Sequence, residues 1–268
     1  MSAPFASKVV VVTGASSGIG KALCLALATQ RPRLVLAARD EEQLRSVAAA
    51  CAEKGAETLV VKTDVSVEAE CRDLVKRTVE RFGALDVLVN NAGIGMIARF
   101  DELKDLSVYE RLMRVNYLGS VYPTFHALPH LTKSGGLIVA VASLAGLTGV
   151  PTRTGYSASK HAVIGFFDSL RVELLGSGVD VTIVAPDFVV SEIHRRAVGP
   201  DGAPLGESPM QETRIMTTER CAALILGAME RRQRLLVMSL RGKLGRFVRL
   251  FAPGLIDRIA LKAVERGR

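Results

Sequence analysis

Short apolar runs alternate along this chain with segments of helical periodicity, and this alternation constrains the fold most strongly. The runs are continuously hydrophobic and rich in β-branched residues, and they occupy residues 8–13, 33–38, 57–62, 85–90, 136–142, 180–185 and 234–238. Parallel strands that are covered on both faces have this pattern. Helical segments between such strands supply the crossovers that parallel pairing needs. The sequence therefore predicts an α/β fold, with a doubly wound, seven-stranded parallel sheet and helices on both faces.

No repeat, low-complexity tract or linker divides the 268 residues, so one domain is expected. We assign residues 1–238 to a dinucleotide-binding and catalytic unit and residues 239–268 to a basic helical extension of the same domain. The segment 187–216 has three prolines, several glycines and no clean period. Because it is long for a connection in a compact domain, a substrate lid is favoured over a passive loop.

The cysteines are widely separated and include no C-x-x-C pair; they are Cys24, Cys51, Cys71 and Cys221. This spacing favours buried thiols in a reducing compartment over disulfides or a metal site. The chain opens into a strand and a glycine turn rather than a secretory signal, and no apolar run reaches the ~20 residues that span a bilayer. A cytoplasmic protein, or one peripheral to a membrane, is expected.

A glycine-rich turn follows the first predicted strand and precedes the first predicted helix. In TGASSGIG (13–20), glycines let the backbone turn tightly and approach a pyrophosphate, whose charge is favoured by the free N–H groups of the helix N-terminus. A structural turn is the alternative, but the strand–turn–helix context favours nucleotide binding. The residues predicted to bind are Gly14, Ser16, Ser17, Gly18, Ile19 and Gly20.

The end of the second strand indicates which dinucleotide binds. An acidic residue there selects the ribose 2′-hydroxyl of NAD, whereas a 2′-phosphate requires a cation. The sequence LVLAARDEE places Ala38 at the strand end and Arg39 directly after it. NADP(H) is therefore favoured, and the alternative is that Arg39 is a solvated charge beside Asp40.

The stretch SLAGLTGVPTRTGYSASK (143–160) combines Ser143, Tyr156 and Lys160 without a histidine or a carboxylate. A tyrosine, with an unperturbed pKa of about 10, needs a nearby positive charge to exchange protons at neutral pH. Tyr156 and Lys160 are four residues apart and share one face of the predicted helix, so the ammonium would favour the tyrosinate. The positive nicotinamide of an oxidised cofactor would add to this effect.

Taken together, these residues resemble the short-chain dehydrogenase/reductase family over nearly the whole chain. The glycine turn, DV (64–65), NNAG (90–93), Asn116 in VNYLG and the Ser143, Tyr156 and Lys160 set occur in the family's order and spacing. The resemblance implies a Rossmann fold in which Asp64, Val65, Asn91, Ala92 and Gly93 border the cofactor. It also implies that Lys160 and Tyr156 contact the nicotinamide ribose, that Ser143 stabilises the substrate oxygen and that Asn116 anchors a water chain for protons.

One position departs from the family pattern. After the sixth strand the family has Pro-Gly, an amide that binds the carboxamide, and a hydroxyl residue; here the sequence is PDFVVS, with Pro186, Asp187, Val189 and Ser191. Cofactor binding by Pro186, Val189 and Ser191 is still expected, because a backbone N–H needs no particular side chain. Asp187 is expected either to face the substrate or to cap a helix.

The residues expected around the reacting carbon are mostly apolar, which indicates a lipophilic alcohol or ketone, although part of the set is expected to be core. They are Ile94, Met96, Leu144, Val150, Phe188 and Ile193. His194 and Arg195 could meet a polar substrate group, but positions that face solvent are favoured for both.

The net charge of +8 is concentrated in the C-terminal tail, where residues 231–268 hold eleven Lys and Arg against two acids. Leu240, Leu244, Phe247, Val248 and Phe251 fall on one helical face there. Such a basic amphipathic helix suits a membrane surface or a partner groove, with dimer or core packing as the alternative. The stretch TTERCAALILGAMERRQRLLVM (217–238) followed by this tail resembles the C-terminal part of the 11β-hydroxysteroid dehydrogenase-like branch, whose members act on steroids and other lipophilic carbonyls at membranes. The N-terminal membrane anchor of that branch is not expected here.

These observations favour an NADP(H)-dependent oxidoreductase that interconverts a lipophilic secondary alcohol and its ketone or aldehyde. The alternative is a non-catalytic NADP-binding sensor or scaffold, against which the intact Ser143, Tyr156 and Lys160 count. No nucleic-acid partner is expected, because the basic tail lacks interleaved aromatic residues and a recognised motif. A homodimer or homotetramer is expected, since oligomers are common in the family and the predicted helices 107–133 and 155–176 could pair.

Overall fold

The computed structural model describes residues 3–207 and 215–266. Its seven strands all pair in parallel and form one sheet. They are β1 (Val9–Thr13), β2 (Arg33–Ala38), β3 (Glu57–Lys62), β4 (Val87–Asn90), β5 (Leu137–Val141), β6 (Asp180–Ala185) and β7 (Leu235–Val237). Each lies within one of the predicted apolar runs. The prediction of a seven-stranded parallel sheet is confirmed.

The strand order is β3-β2-β1-β4-β5-β6-β7. The chain adds β2 and β3 on one side of β1 and the remaining strands on its other side, so the topological switch point lies between β1 and β4. Ligands of open α/β sheets bind at the carboxyl ends of the strands beside such a switch point. The glycine turn after β1 and the segment after β4 are therefore brought together by the topology.

Helices cover both faces of the sheet, as predicted. They are α1 (Gly18–Ala28), α2 (Glu41–Ala52), α3 (Glu68–Phe82), α4 (Ser107–Leu112), α5 (Gly119–Ser134), α6 (Thr154–Glu173), α7 (Thr218–Glu230), α8 (Leu240–Phe251) and α9 (Pro253–Arg266). One core lies between the sheet and α1, α2 and α7, and contains the fully buried Leu23 and Leu27. The other lies between the sheet and α3, α5 and α6, and contains Phe167 and Leu131. Continuous strand hydrophobicity is explained by these two cores.

The predicted helix 107–133 is interrupted by a π-helical segment, Met113–Leu118, between α4 and α5. Such insertions occur frequently at functional sites, because the extra residue redirects a side chain. Asn116 lies in this segment and is fully buried. The sequence predicted the helix but gave no sign of its interruption.

The four cysteine side chains are buried and none forms a disulfide. In the part of the chain that the structure describes, no helix combines the length and apolarity that crossing a bilayer requires.

The segment 187–216 contains no helix or multi-residue strand in its described part, and residues 208–214 of the predicted lid lie outside the described residues. It is held by isolated bridges, between Val189 and Met216 and between Met96 and Val198. The tail predicted as a helical extension contains α8 and α9, which contact each other. Residues 267–268 lie outside the described residues.

Candidate active site

A large cleft of about 1280 Å³ lies at the carboxyl ends of the strands. All of the residues predicted to be catalytic or to bind cofactor line it except Gly20 and Asn116. Gly20 is buried behind the glycine turn, and Asn116 is buried beneath the cleft wall. The structure thus brings the predicted residues together from six strand ends.

The glycine turn is locked against the end of β4. The Asn91 side-chain amide donates hydrogen bonds to the carbonyl oxygens of Thr13 (2.9 Å) and Gly14 (3.2 Å), and the Thr13 hydroxyl accepts from the backbone N–H of Asn91 and Ala92. A Cβ on Gly20 would lie 2.3 Å from the Gly14 carbonyl oxygen. Because a side chain does not fit there, Gly20 allows α1 to approach the turn and need not touch a ligand.

The same turn leaves room for a dinucleotide phosphate. Gly14 and Gly18 have φ values of +65° and +53°, in the region that favours glycine. Ser17 is the N-cap of α1 and its side chain caps no amide of the helix, and Ser16, Ser17 and Gly18 line the cleft at this helix N-terminus. Free amides at a helix N-terminus bind phosphate well. The residues present fit the pyrophosphate of a nicotinamide dinucleotide.

Side chains at the ends of β2 and β3 border the adenine-side part of the cleft. Arg39 is exposed on the cleft wall, while the Asp40 carboxylate caps α2 by accepting from the Gln43 N–H at 3.0 Å. Arg39 forms no ion pair with a described residue. The Asp64 carboxylate accepts from the backbone N–H and the hydroxyl of Ser66 at 2.9 and 2.7 Å. Arg39 is thus available to an anion, and Asp64 is held in place.

Ser143, Tyr156 and Lys160 meet at the other end of the cleft. Ser143 follows β5 in an extended conformation, its hydroxyl accepts from the Ala145 N–H at 3.2 Å, and its side chain lowers the pKa of the neighbouring Tyr156 phenol. Lys160 lies one turn after Tyr156 in α6, with its Nζ 5.8 Å from the centre of the Tyr156 ring, and donates to the Val141 carbonyl oxygen at 2.9 Å. A Cβ on Gly93 would lie 3.5 Å from this Nζ. The glycine therefore keeps the space beside the amine open.

The pKa values of Tyr156 and Lys160 are both shifted by burial, and Arg153 is the cation that acts on the phenol. Burial raises the pKa of Tyr156, while the hydrogen bond from Ser143 and the positive charge of Arg153 oppose that rise. Burial lowers the pKa of Lys160 to about 8. Sequence reasoning assigned the charge beside the phenol to Lys160 alone and missed Arg153, which is buried at the start of α6. The effect of the Lys160 ammonium on the phenol stays a prediction, and Arg153 is a second cation that the prediction did not include.

Asn116 connects two segments under the cleft. Its Oδ1 accepts from the Ile94 N–H at 2.8 Å, and its Nδ2 donates to the Ile94 carbonyl oxygen and to the Ser159 hydroxyl at 3.0 and 2.9 Å. Ser159 lies between Tyr156 and Lys160 in α6. The amide thus fixes the segment after β4 to the helix that carries the tyrosine.

Asp187 neither caps a helix nor is free to meet a substrate. Its carboxylate accepts two hydrogen bonds from the Arg241 guanidinium of α8, at 2.9 and 3.1 Å, and one from the Phe188 N–H. Both expectations for Asp187 were therefore incomplete, since its partner is a side chain 54 positions away. Asp187, which stands where the family has glycine, thus attaches the C-terminal tail to the end of β6.

Two expectations about the substrate end were wrong. His194 is 6% exposed rather than facing solvent, and its Nε2 lies 3.2 Å from the Val189 carbonyl oxygen. Burial, together with the charge of Arg153, lowers the pKa of His194 to about 4. Met96 is fully buried in a small core beside Tyr156 and does not line the cleft, because it packs under the segment that the others face. Ile94, Leu144, Val150, Phe188 and Ile193 do line it.

The C-terminal helices form one wall of the cleft. Gly242 of α8 allows close packing, since a Cβ there would lie 2.7 Å from a Leu144 methyl carbon. From these helices the cleft is lined by Arg241, Gly242, Leu244, Gly245, Arg246, Val248, Arg249, Leu255, Ile256, Ile259 and Ala260. The tail is therefore part of the site, although several of its apolar side chains, including Phe247 and Phe251, are more than half exposed.

Sequence reasoning missed Thr13, Arg153, Ser159 and Arg241 as parts of the site. Thr13 and Ser159 lie inside the motifs that were recognised, so their hydroxyls carried a usable signal. Arg153 and Arg241 are charged residues in polar or basic surroundings, and nothing in their local sequence distinguishes them from solvated arginines.

A cleft at the switch point of a doubly wound sheet, with a glycine-rich turn at one end and a Ser-Tyr-Lys set at the other, is typical of nucleotide-dependent oxidoreductases. The family model described as short chain dehydrogenase matches residues 8–199, and the chain belongs to the short-chain dehydrogenase family, whose members are oxidoreductases that act on CH–OH groups. Its relatives place it in the 11-beta-hydroxysteroid dehydrogenase-like branch of that family.

Curated relatives include an 11-beta-hydroxysteroid dehydrogenase of Pinus massoniana, 38% identical over 93% of this chain and 72% of that protein. An 11-beta-hydroxysteroid dehydrogenase A of Sesamum indicum is 41% identical over 80% of this chain and 61% of that protein. A dehydrogenase/reductase SDR family protein 7-like of Dictyostelium discoideum is 34% identical over 94% of this chain and 80% of that protein. The chain thus spans only part of each of these relatives.

Two solved structures share the fold. A short chain dehydrogenase/reductase from Burkholderia phymatum in complex with NAD has a TM-score of 0.83 at 28% identity, over 94% of this chain and 95% of that one. An alcohol dehydrogenase from the archaeon Thermococcus sibiricus, complexed with 5-hydroxy-NADP, has a TM-score of 0.72 at 28% identity, over 83% and 90%.

Proposed function

We propose that the protein is an NADP(H)-dependent oxidoreductase that interconverts a lipophilic secondary alcohol and its ketone or aldehyde. The observation that carries this proposal is that Ser143 and the buried Tyr156 line the cleft that the glycine turn also lines, with the Lys160 amine one helical turn from Tyr156. A non-catalytic sensor or scaffold would have no need for such a set.

A bound nicotinamide supplies the hydride donor or acceptor. Tyr156 exchanges the proton: its phenol donates a proton to the substrate oxygen in reduction, and its phenolate removes a proton from that oxygen in oxidation. Ser143 is placed beside the phenol hydroxyl and donates a hydrogen bond to the same substrate oxygen while charge develops there. Both hydroxyls are held by the ends of rigid elements, β5 and α6, and this rigidity keeps their geometry fixed during the reaction.

Lys160 and Asn116 support the proton transfer. Only one acceptor for Lys160 lies within hydrogen-bonding distance among the described residues, the Val141 carbonyl oxygen, which leaves donors for a ribose hydroxyl. Asn116 fixes the backbone after β4 to α6 through its hydrogen bonds to Ile94 and Ser159. We assign it as the buried end of the water chain that carries protons to Lys160.

The choice of NADP(H) rests on Arg39. Asp40, the acid nearest the end of β2, uses one carboxylate oxygen to cap α2, and the guanidinium of Arg39 lies beside it on the cleft wall. The structural neighbours hold both kinds of cofactor, NAD in one and an NADP derivative in the other. The remaining cofactor contacts are assigned to the predicted residues that line this part of the cleft.

The substrate class rests on the apolar lining. Ile94, Leu144, Val150 and Ile193 face the cleft together with the apolar side chains of α8 and α9. The names of several relatives refer to hydroxysteroids, which are lipophilic alcohols and ketones. We assign a small lipophilic molecule as the substrate.

Exposed apolar side chains support the proposed location and assembly. Phe247, Leu250 and Phe251 of α8 are exposed beside basic residues, which suits peripheral contact of an otherwise cytoplasmic protein with an anionic membrane. Phe125 of α5 and Val172 of α6 are also exposed, at 72% and 62%, on the two long helices expected to pair in a homodimer or homotetramer.

The proposal is tested by turnover of a panel of steroid, retinoid, long-chain and aromatic ketones and alcohols, each with NADPH or NADH and their oxidised forms. Tyr156→Phe should reduce kcat by about 1000-fold with NADPH affinity retained, because general acid–base catalysis contributes on that order. Arg39→Asp should invert the preference for NADPH over NADH. Cofactor binding with no turnover across the panel would support the sensor alternative and reject the enzyme.

A further inference from the structure

Arg153 is a buried cation without an anionic partner. Arg153 is 7% exposed, and among the residues that the structure describes its Nη2, which is shielded from water, has no hydrogen-bond acceptor. Within residues 3–207 and 215–266 it forms no ion pair. Burying a charged group in this way is costly unless it is paired, and buried charges in proteins are normally paired for that reason. An unpaired guanidinium in a site wall is therefore evidence of a ligand.

The groups around Arg153 are uncharged. Its guanidinium lies over the Phe188 ring, 5.3 Å from the ring centre. It also acts electrostatically on the phenol of Tyr156 and on His194, which stays neutral near pH 7 because its pKa is lowered to about 4. The nearest acid in sequence to Phe188, Asp187, is already bound to Arg241. The surrounding protein thus leaves the charge uncompensated.

Arg153 occupies the position from which it can reach a reacting substrate. It is the N-cap of α6, three residues before Tyr156, and both side chains belong to the wall of the same cleft. This end of the cleft is basic overall: Arg111, Arg196, Arg246 and Arg249 also line it, together with the Asp187–Arg241 pair and one further acid, Glu192. A negatively charged ligand is favoured there over a neutral one.

We propose that Arg153 binds a carboxylate of the substrate close to the carbon that reacts, so that the natural substrates are lipophilic oxo or hydroxy acids rather than neutral alcohols and ketones. This inference rests on the proposed function and narrows its substrate class. The planar guanidinium matches a carboxylate, and a charge-assisted hydrogen bond in a buried site gives strong orientation. The apolar lining of the cleft accommodates the hydrocarbon part of such an amphiphile.

The test compares each acid with its own methyl ester. Oxododecanoic acids with the carbonyl at the second, third or fourth carbon, and their esters, are assayed with NADPH on the wild type, Arg153→Gln and Arg153→Lys. For the preferred acid, Arg153→Gln should lower kcat/KM by about 100-fold, because it removes one partner of a buried charged pair. The ester should lose much less than the acid, because it loses only the effect of Arg153 on the phenol, and Arg153→Lys should recover part of the loss on the acid.

Several results would overturn the proposal. One is an equal loss on acid and ester with the pH profile moved to higher pH, since Arg153 would then act on the phenol alone. A second is weakened NADPH binding, which would make it a cofactor residue. A third is a lower melting temperature for ligand-free Arg153→Gln than for the wild type. If the buried charge is unpaired, its removal should leave the melting temperature unchanged or raise it.

Failure of the proposed function is separable from failure of this inference. If no compound were reduced by the wild type, equilibrium dialysis of the same acids and esters against the NADP-loaded protein would measure binding without turnover. Tighter binding of the acid that disappears in Arg153→Gln would uphold the inference. Equal binding of acid and ester by the wild type would reject it.

Discussion

The two ends of the cleft are built in different ways. The dinucleotide end consists of strand ends and one glycine turn, joined by hydrogen bonds among Thr13, Gly14 and Asn91. The substrate end consists of the irregular segment after β6 and the helices α8 and α9, joined by the Asp187–Arg241 pair and by packing on Leu144. The first end is specified by backbone geometry in short motifs, whereas the second depends on side chains that are distant in sequence. We expect substitutions at the first end to cost more stability.

The largest effect is expected at Gly20. In Gly20→Ala the new Cβ would lie 2.3 Å from the Gly14 carbonyl oxygen, so the backbone of the turn would have to move. We expect a loss of about 3 kcal/mol or more in the free energy of unfolding, the upper part of the range for overpacking. Urea denaturation measures it.

Gly165→Ala is the matched control, because Gly165 is exposed in α6 and a Cβ there meets nothing within 4 Å. It should gain about 0.5–1 kcal/mol from helix propensity. Equal effects of the two substitutions would show that the turn is not the tightly packed element described above.

The second effect concerns His194 at the substrate end. Because its pKa in the folded protein is lowered to about 4 from 6.5, the unfolded chain binds a proton at a higher pH than the folded protein does. Stability should therefore fall as pH decreases from about 6.5 to 4, by at most about 3 kcal/mol. In His194→Gln this acid-dependent loss should be smaller.

Denaturation of wild type and His194→Gln at pH 7, where the histidine is neutral in both states, gives the packing cost of the substitution separately. The prediction fails if the two proteins lose stability in parallel between pH 6.5 and 4.

The smallest effect is expected for the Asp187–Arg241 pair. The arginine side chain is 61% exposed, so solvent screens the attraction and a coupling energy of about 0.5–1 kcal/mol is expected despite the two hydrogen bonds. A double-mutant cycle of Asp187→Asn and Arg241→Gln measures it. Additive effects would mean that the pair does not fasten the tail.

The same comparison explains how far the sequence predicted the structure. Buried parallel strands require continuous hydrophobic runs, so all seven were found with ends within two residues of those observed. The glycine turn and the Ser143, Tyr156 and Lys160 set were found because their chemistry requires fixed local spacings. Both belong to contiguous segments.

What the sequence did not predict depends on tertiary packing. His194 and Arg153 lie in polar stretches, and their burial results from their packing against each other and against Phe188. The pairing of Asp187 with Arg241 joins positions that no local pattern relates. The sequence could not show that Met96 is buried in a small core while its neighbours line the cleft. Residues in a short loop have no periodic pattern that would indicate which side chains are buried.

The central claim is that Tyr156, tuned by its contact with Ser143, exchanges the proton of the reaction. Its most direct test is the pH dependence of kcat/KM for alcohol oxidation in the wild type, Ser143→Ala and Tyr156→Phe. Activity should rise with pH as the phenol loses its proton. In the wild type Ser143 lowers the pKa of Tyr156, so in Ser143→Ala the rise in activity should move to higher pH. In Tyr156→Phe the rise should disappear. A rise at the same pH and height in Tyr156→Phe would contradict the account.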